Sequence, residues 1–256
     1  RRWPWVASAA LLLTAATALL MLRRPEVPAP GRDHAVPFSH PTALVWEGNS
    51  LWATDWTEQT LFQLEETGGA LSVVKRYSIP ETHATGLALA GNDVFVSDSW
   101  ARQIKRWRRQ GDKLLLTGSW ASPGPQPSAL FYDGTSLWSA DSAKGSVHRP
   151  SLDDRLTVLA SYQMDLPPAG IWADKDRFWS ADAASRLIRR HRYDETLSAV
   201  ESYGLRELDD GKTPLSAFAM RGDRVWLGRD GDARLLERPL DRFDRRPLLD
   251  APQAKR

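Results

Sequence analysis

PTALVWEGNSLWATDW, residues 41–56, holds two short runs of alternating apolar residues on either side of Gly48-Asn49, and the second run ends in Trp-x-x-Asp. Glycine first in a two-residue loop suits the primed turns whose twist matches that of the flanking strands, so the stretch predicts a β-hairpin. The unit returns four times: ATGLALAGNDVFVSDS at 84–99, PSALFYDGTSLWSADS at 127–142, PAGIWADKDRFWSADA at 168–183 and LSAFAMRGDRVWLGRD at 215–230. The aromatic near the end of the second run falls at Trp52, Phe95, Trp138, Trp179 and Trp226, in steps of 43, 43, 41 and 47 residues. Behind each hairpin come further strand-like runs, such as TLFQLEE and LSVVKRYSIP, or QIKRWRR and LLLTGSWASP. Four strands per period is the arithmetic of a β-propeller blade, whereas a sandwich would not explain the fixed period. The expected fold is all-β: a five-bladed propeller of four-stranded blades at about 41–83, 84–126, 127–167, 168–214 and 215–252.

In the register set by the turn, opposed residues have numbers of constant sum. Thr42 is then expected to face Asp55, Thr85 to face Asp98 and Ser128 to face Asp141, while Ala169 faces Asp182 and Ser216 faces Arg229. A carboxylate at a strand end can accept bonds from an opposed hydroxyl and from loop N–H groups, so Asp55, Asp98, Asp141 and Asp182 read as fold-supporting residues. The five repeat aromatics are expected to occupy equivalent places and to pack between neighbouring blades.

The aromatic-x-x-Asp ending and the glycine turn, taken with the period, resemble the NHL, YVTN and SMP-30-like propellers over residues 41–252. The resemblance implies the fold and places ligands on the face where first strands begin and second strands end; those folds host many activities. That face collects His40, His83 and Gln126 just before the first strands, and Trp56 and Trp100 just after two of the aspartates. Large aromatics in loops are favoured interface anchors, so these five residues form the expected binding face.

Outside the repeats, WVASAALLLTAATALLML at 5–22 carries no charge and is flanked by Arg1, Arg2, Arg23 and Arg24. As a helix it would span about 27 Å, close to a slightly thinned bilayer core. Two arginines follow the run where a cleavage site would be expected, so residues 1–24 read as a retained signal-anchor, with the body translocated out of the cytoplasm. The proline-rich stretch at 25–40 reads as a spacer, with the propeller filling 41–256.

Of the 256 residues, 42% are hydrophobic and 26% charged, which excludes a disordered chain. With no cysteine there is no disulfide framework, thiolate metal site or cysteine nucleophile. The formal net charge is +2, yet Arg1, Arg2, Arg23, Arg24 and Arg32 face only Glu26 in the first 32 residues, leaving the remainder at −2. Such a body is not expected to bind nucleic acid. Two third strands are basic, at 102–109 and 186–192, and His148 and His191 read as ordinary polar residues of such strands. His40 and His83 have no histidine counterparts in the other blades, so neither a metal site nor a cofactor is expected. No nucleophile elbow, zinc-protease helix, phosphate loop or calcium loop is present, and the acidic pairs Asp174 with Asp176 and Asp230 with Asp232 sit at turns, where aspartate is common. The reading that follows is a membrane-tethered, protein-binding scaffold. The alternative is a small-molecule enzyme of the lactonase or glutamine cyclotransferase kind, although no metal-binding or acidic catalytic set for either can be placed.

Overall fold

The computed structural model describes residues 30–174, 176–209, 211 and 213–248. The expected membrane segment at 5–22 lies outside them. Among the described residues no helix is long and apolar enough to cross a membrane.

The five repeats form five antiparallel sheets. The first is β2 (Pro41–Glu47), β3 (Ser50–Asp55), β4 (Thr60–Thr67) and β5 (Ala70–Ser78); the second is β6 (Ala84–Ala90), β7 (Asp93–Asp98), β8 (Gln103–Gln110) and β9 (Lys113–Ala121). The third is β10 (Pro127–Tyr132), β11 (Leu137–Asp141), β12 (Ser146–Pro150) and β13 (Val158–Gln163). The fourth holds β14 (Pro168–Ala173), β15 (Phe178–Asp182), β16 (Leu187–His191) and β17 (Ala199–Gly204). The fifth repeat supplies β18 (Leu215–Arg221), β19 (Arg224–Arg229) and β20 (Arg234–Pro239). The first strands β2, β6, β10, β14 and β18 touch one another in a closed ring, which makes the molecule a five-bladed propeller.

Both flanks of the repeat region depart from the expected domain boundaries. β1 (Arg32–Ala35) is the fourth strand of the fifth blade, pairing with β20 from Arg32↔Glu237 to Ala35↔Arg234. The supposed spacer at 25–40 thus contains a blade strand, followed by Val36 and Phe38 in the core. The reason is visible in the alternation of His34, Val36 and Phe38, buried in turn while Asp33, Ala35 and Pro37 are exposed. At the other end, β21 (Asp244–Arg246) pairs with β17 and gives the fourth blade a fifth strand.

Trp52, Phe95, Trp138, Trp179 and Trp226 pair with Val45, Ala88, Phe131, Trp172 and Ala219, and none is more than 3% exposed. Each belongs to a separate apolar cluster shared by two consecutive blades. Trp52 packs with Leu87 and Val94, Phe95 with Leu130 and Leu137, and Trp138 with Ile171 and Phe178. Trp179 packs with Phe218 and Val225, and Trp226 closes the ring against Leu44 and Leu51. Each blade interface therefore has its own aromatic keystone. The core is five wedges rather than one mass.

Several basic residues of the third strands form ion pairs. Arg109 reaches across the blade interface to Glu47 (2.7 Å), Arg108 binds Asp93 (2.8 Å), Lys105 binds Asp98 (2.7 Å) and Arg190 binds Glu201 (2.5 Å).

The hairpin register corrects the expected Thr–Asp pairing. It holds from each turn up to Ala43↔Thr54 and its equivalents, then shifts by one, so that Pro41, Ala84, Pro127, Pro168 and Leu215 face Asp55, Asp98, Asp141, Asp182 and Arg229. Thr42, Thr85, Ser128, Ala169 and Ser216 are the extra residues of five equivalent β-bulges. Three of the freed hydroxyls turn to the next blade: Thr42 Oγ1 donates to the Ala84 carbonyl (2.7 Å), Thr85 Oγ1 to Pro127 (2.8 Å) and Ser128 Oγ to Pro168 (2.5 Å).

Candidate functional site

First strands run from the upper face to the lower and second strands return, so each second strand ends above, beside the start of its own first strand. The aspartate there is a hub. Asp55 Oδ2 accepts the backbone N–H groups of Ser39 (3.2 Å) and His40 (2.8 Å), and its Oδ1 accepts those of Thr57 (2.8 Å) and Glu58 (3.0 Å) as well as the Thr57 hydroxyl (2.7 Å). Burial opposes ionisation of Asp55, but the bonds from Thr57, Glu58 and His40 outweigh it and hold the carboxyl below its ordinary range. Asp98 is held by Trp100 N, Ala101 N and Lys105 Nζ, Asp141 by Gln126 N and Lys144 N, and Asp182 by Ser185 N. These carboxylates pin the upper loops to the blades.

Above the ring of first strands lies a bowl of about 390 Å³, a size suited to a small ligand or a few side chains. Its wall and floor are repeat positions. The five bulge residues Thr42, Thr85, Ser128, Ala169 and Ser216 line the floor, and the residues that follow the hub position, Trp56, Ser99, Ser142, Ala183 and Asp230, line the wall. His83, Gln126 and Pro214 add to the rim. Below the floor the axial void shrinks to about 10 Å³, room for roughly one water molecule, so the bowl is blind. Close approach of the first strands closes it: a Cβ added to Gly86 would stand 2.5 Å from the Ala129 carbonyl carbon, and one on Gly170 would stand 2.7 Å from Phe218 Cβ.

Four of the five expected binding-face residues form one aromatic group at the rim. His83 stacks on Trp100 with centroids 4.5 Å apart and planes at 18°, and Trp56 lies 4.7 Å from His83, 5.8 Å from His40 and 6.5 Å from Trp100. Trp100 is 70% exposed. Gln126 lines the bowl through the third blade, away from these ring contacts. His83 Nδ1 meets the Ser99 hydroxyl at 2.6 Å. Burial pushes the His83 imidazole below its ordinary range, against the pull of Asp98, so the ring is neutral at pH 7. His40 and His83 flank Trp56, and among the described residues no group of three His, Asp or Glu side chains is arranged to hold a metal ion.

Two features of the bowl were not singled out from the sequence. Asp230, grouped there with Asp232 as a turn residue, lines the wall, while Asp232 pairs with Arg229 and Arg234. Ser216 Oγ is buried on the floor without a hydrogen-bond partner among the described residues.

No protein-family model matches the chain, and no curated protein matches it. Solved structures do. Glutaminyl cyclase from Myxococcus xanthus is similar with a TM-score of 0.68 at 14% identity, covering 84% of this chain and 96% of that one. A catalytically inactive virginiamycin B lyase from Staphylococcus aureus, determined with quinupristin, is similar with a TM-score of 0.50 at 14% identity, covering 78% and 66%. At such identities the likeness is one of propeller fold.

Proposed function

We propose that the protein is a binding propeller that engages a protein partner through its upper face, held at a membrane by residues 5–22 with the propeller outside the cytoplasm. One observation carries the binding reading: Trp100, largely exposed, is stacked on His83 beside Trp56 at the rim of a blind bowl. Exposing a large indole to water is unfavourable, and a pre-stacked ring loses little conformational freedom when a partner covers it. The blade pattern's resemblance to NHL, YVTN and SMP-30-like proteins fits this use of the upper face. A second reading, a small-molecule enzyme of the lactonase or cyclotransferase kind, is favoured by the bowl's size and blind floor.

The test is co-purification of the full chain from detergent extracts. Trp100→Ser, alone and with Trp56→Ser, should release a stoichiometric partner, and Trp100→Ser alone should shift the thermal midpoint by no more than about 2 °C, since the exposed ring adds little to the core. Retention of the partner by both variants overturns the scaffold reading. Turnover of lactones or glutaminyl peptides by the purified chain would favour the enzyme.

A further inference from the structure

The wall position of the bowl is occupied by tryptophan, serine, serine, alanine and aspartate in successive blades. In the first four blades the carboxylate is the hub one residue earlier. In the fifth, Arg229 takes the hub place and binds Asp232, and the carboxylate of Asp230 stands instead at the wall. Asp230 makes no hydrogen bond or ion pair with any described residue, and among the described residues no lysine or arginine lines the bowl. His83, the other titratable residue of the lining, adds no positive charge at neutral pH. The aspartates beneath the wall have carboxylate oxygens engaged by backbone N–H groups or by Lys105.

Three kinds of group share the bowl's lining with this carboxylate. Ser216 follows Leu215, the residue paired with Arg229, and its buried hydroxyl, without a hydrogen-bond partner among the described residues, belongs to the same lining as Asp230. Trp56 holds the equivalent wall position in the adjoining first blade. Pro214, Leu215 and Ala183 supply apolar lining nearby. A carboxylate, a hydroxyl with free lone pairs and an indole are what an ammonium group requires, through an ion pair, an accepted N–H bond and a cation–π contact.

We propose that the bowl takes an organic ammonium group carried on an apolar stem. This rests on the upper face being the binding face and specifies the chemistry of whatever enters it. A lysine side chain and a peptide N-terminus both present that chemistry.

The test is titration of the full-length chain in detergent with phenethylammonium and with its neutral counterpart 2-phenylethanol, at fixed ionic strength. The ammonium should bind about ten-fold more tightly than the alcohol. Asp230→Asn should bring the two within about two-fold while leaving alcohol binding and the thermal midpoint unchanged, because Asp230 has no structural partner among the described residues to lose. Competition by Nα-acetyl-lysine methylamide or by alanyl-phenylalanine amide then tells a side-chain ammonium from a terminal one. Equal affinity for the two probes, absence of saturable binding by either, or a preference that survives Asp230→Asn overturns the proposal. These titrations need no partner, so they can fail while co-purification through Trp56 and Trp100 succeeds, and the reverse.

Discussion

His191 shows how far a single side chain can depart from its sequence pattern. It reads as a polar residue on a basic strand, yet it is 2% exposed. Alternation sorts residues into inside and outside only when one face of a sheet meets water, and propeller blades are covered on both faces by their neighbours. The Leu197 carbonyl, 2.8 Å from Nδ1, can only accept, so Nδ1 carries the proton and Nε2 accepts the Ser180 hydroxyl at 2.7 Å. Burial lowers the pKa to about 4, against the small opposing influence of Leu197. Between about pH 6.5 and 4 the unfolded chain therefore binds a proton that the native protein does not, and stability falls as pH falls. The loss over that window is about 3 kcal/mol. Urea unfolding in half-unit pH steps should show a decline shallower by about that amount in His191→Gln than in the parent; parallel declines would assign the acid sensitivity to other groups. The repeat tryptophans, by contrast, were legible because a recurring large aromatic has little other use than packing.

Hairpins were legible because glycine turns fix register over short distances, and the bulges were not, because no local signal marks them and three of their five residues find their partners in the next blade. From Thr42 outward the strand gives up local pairing to place a hydroxyl on the neighbour's carbonyl, a partner 42 residues away in sequence. The first strands also approach so closely that glycine becomes obligatory. Ala substitution at Gly86 would drive a methyl group into the backbone of Ala129 and Leu130, which cannot retreat without opening the ring. Gly86→Ala should cost about 2 to 3 kcal/mol or more. Gly91→Ala, at a turn with φ near +60° and open space around it, should cost about 1 kcal/mol. Denaturant midpoints of the two variants order the effects; equal costs would mean that the axial packing is slack. β1 was hidden by Pro37, Pro30 and Pro28 around it, which made the segment look like linker, although the period-two burial of His34, Val36 and Phe38 was already in the sequence.

For the molecule as a whole, the upper face was legible from strand direction alone, because hairpin geometry decides which loops share an end. The contents of the bowl were not: Asp230 and Ser216 matter through their neighbours around the ring, and no linear motif records those. Ring closure depends on β1, whose His34 stacks on Trp226 at 4.7 Å and meets Glu237 at 2.9 Å, with Arg224 on the other oxygen of that carboxylate at 2.7 Å. A chain beginning at residue 41 would lose this strand together with Val36 and Phe38, each worth about 2 kcal/mol in burial, and would uncover one edge of the fifth blade. A fragment beginning at residue 30 should unfold cooperatively, and one beginning at 41 should melt at least 10 °C lower or aggregate. Equal midpoints would show that β1 is dispensable.

The strand that completes the ring is also the first part of the propeller to leave the ribosome. Arg32 must wait for Glu237, and at about 5 to 20 residues per second that interval is roughly 10 to 40 s. Throughout it the apolar edge of His34, Val36 and Phe38 has no native partner in the last blade, while the first four blades can already assemble. While the first four blades are being translated the ring is open, and its oldest strand ends up beside one of its youngest.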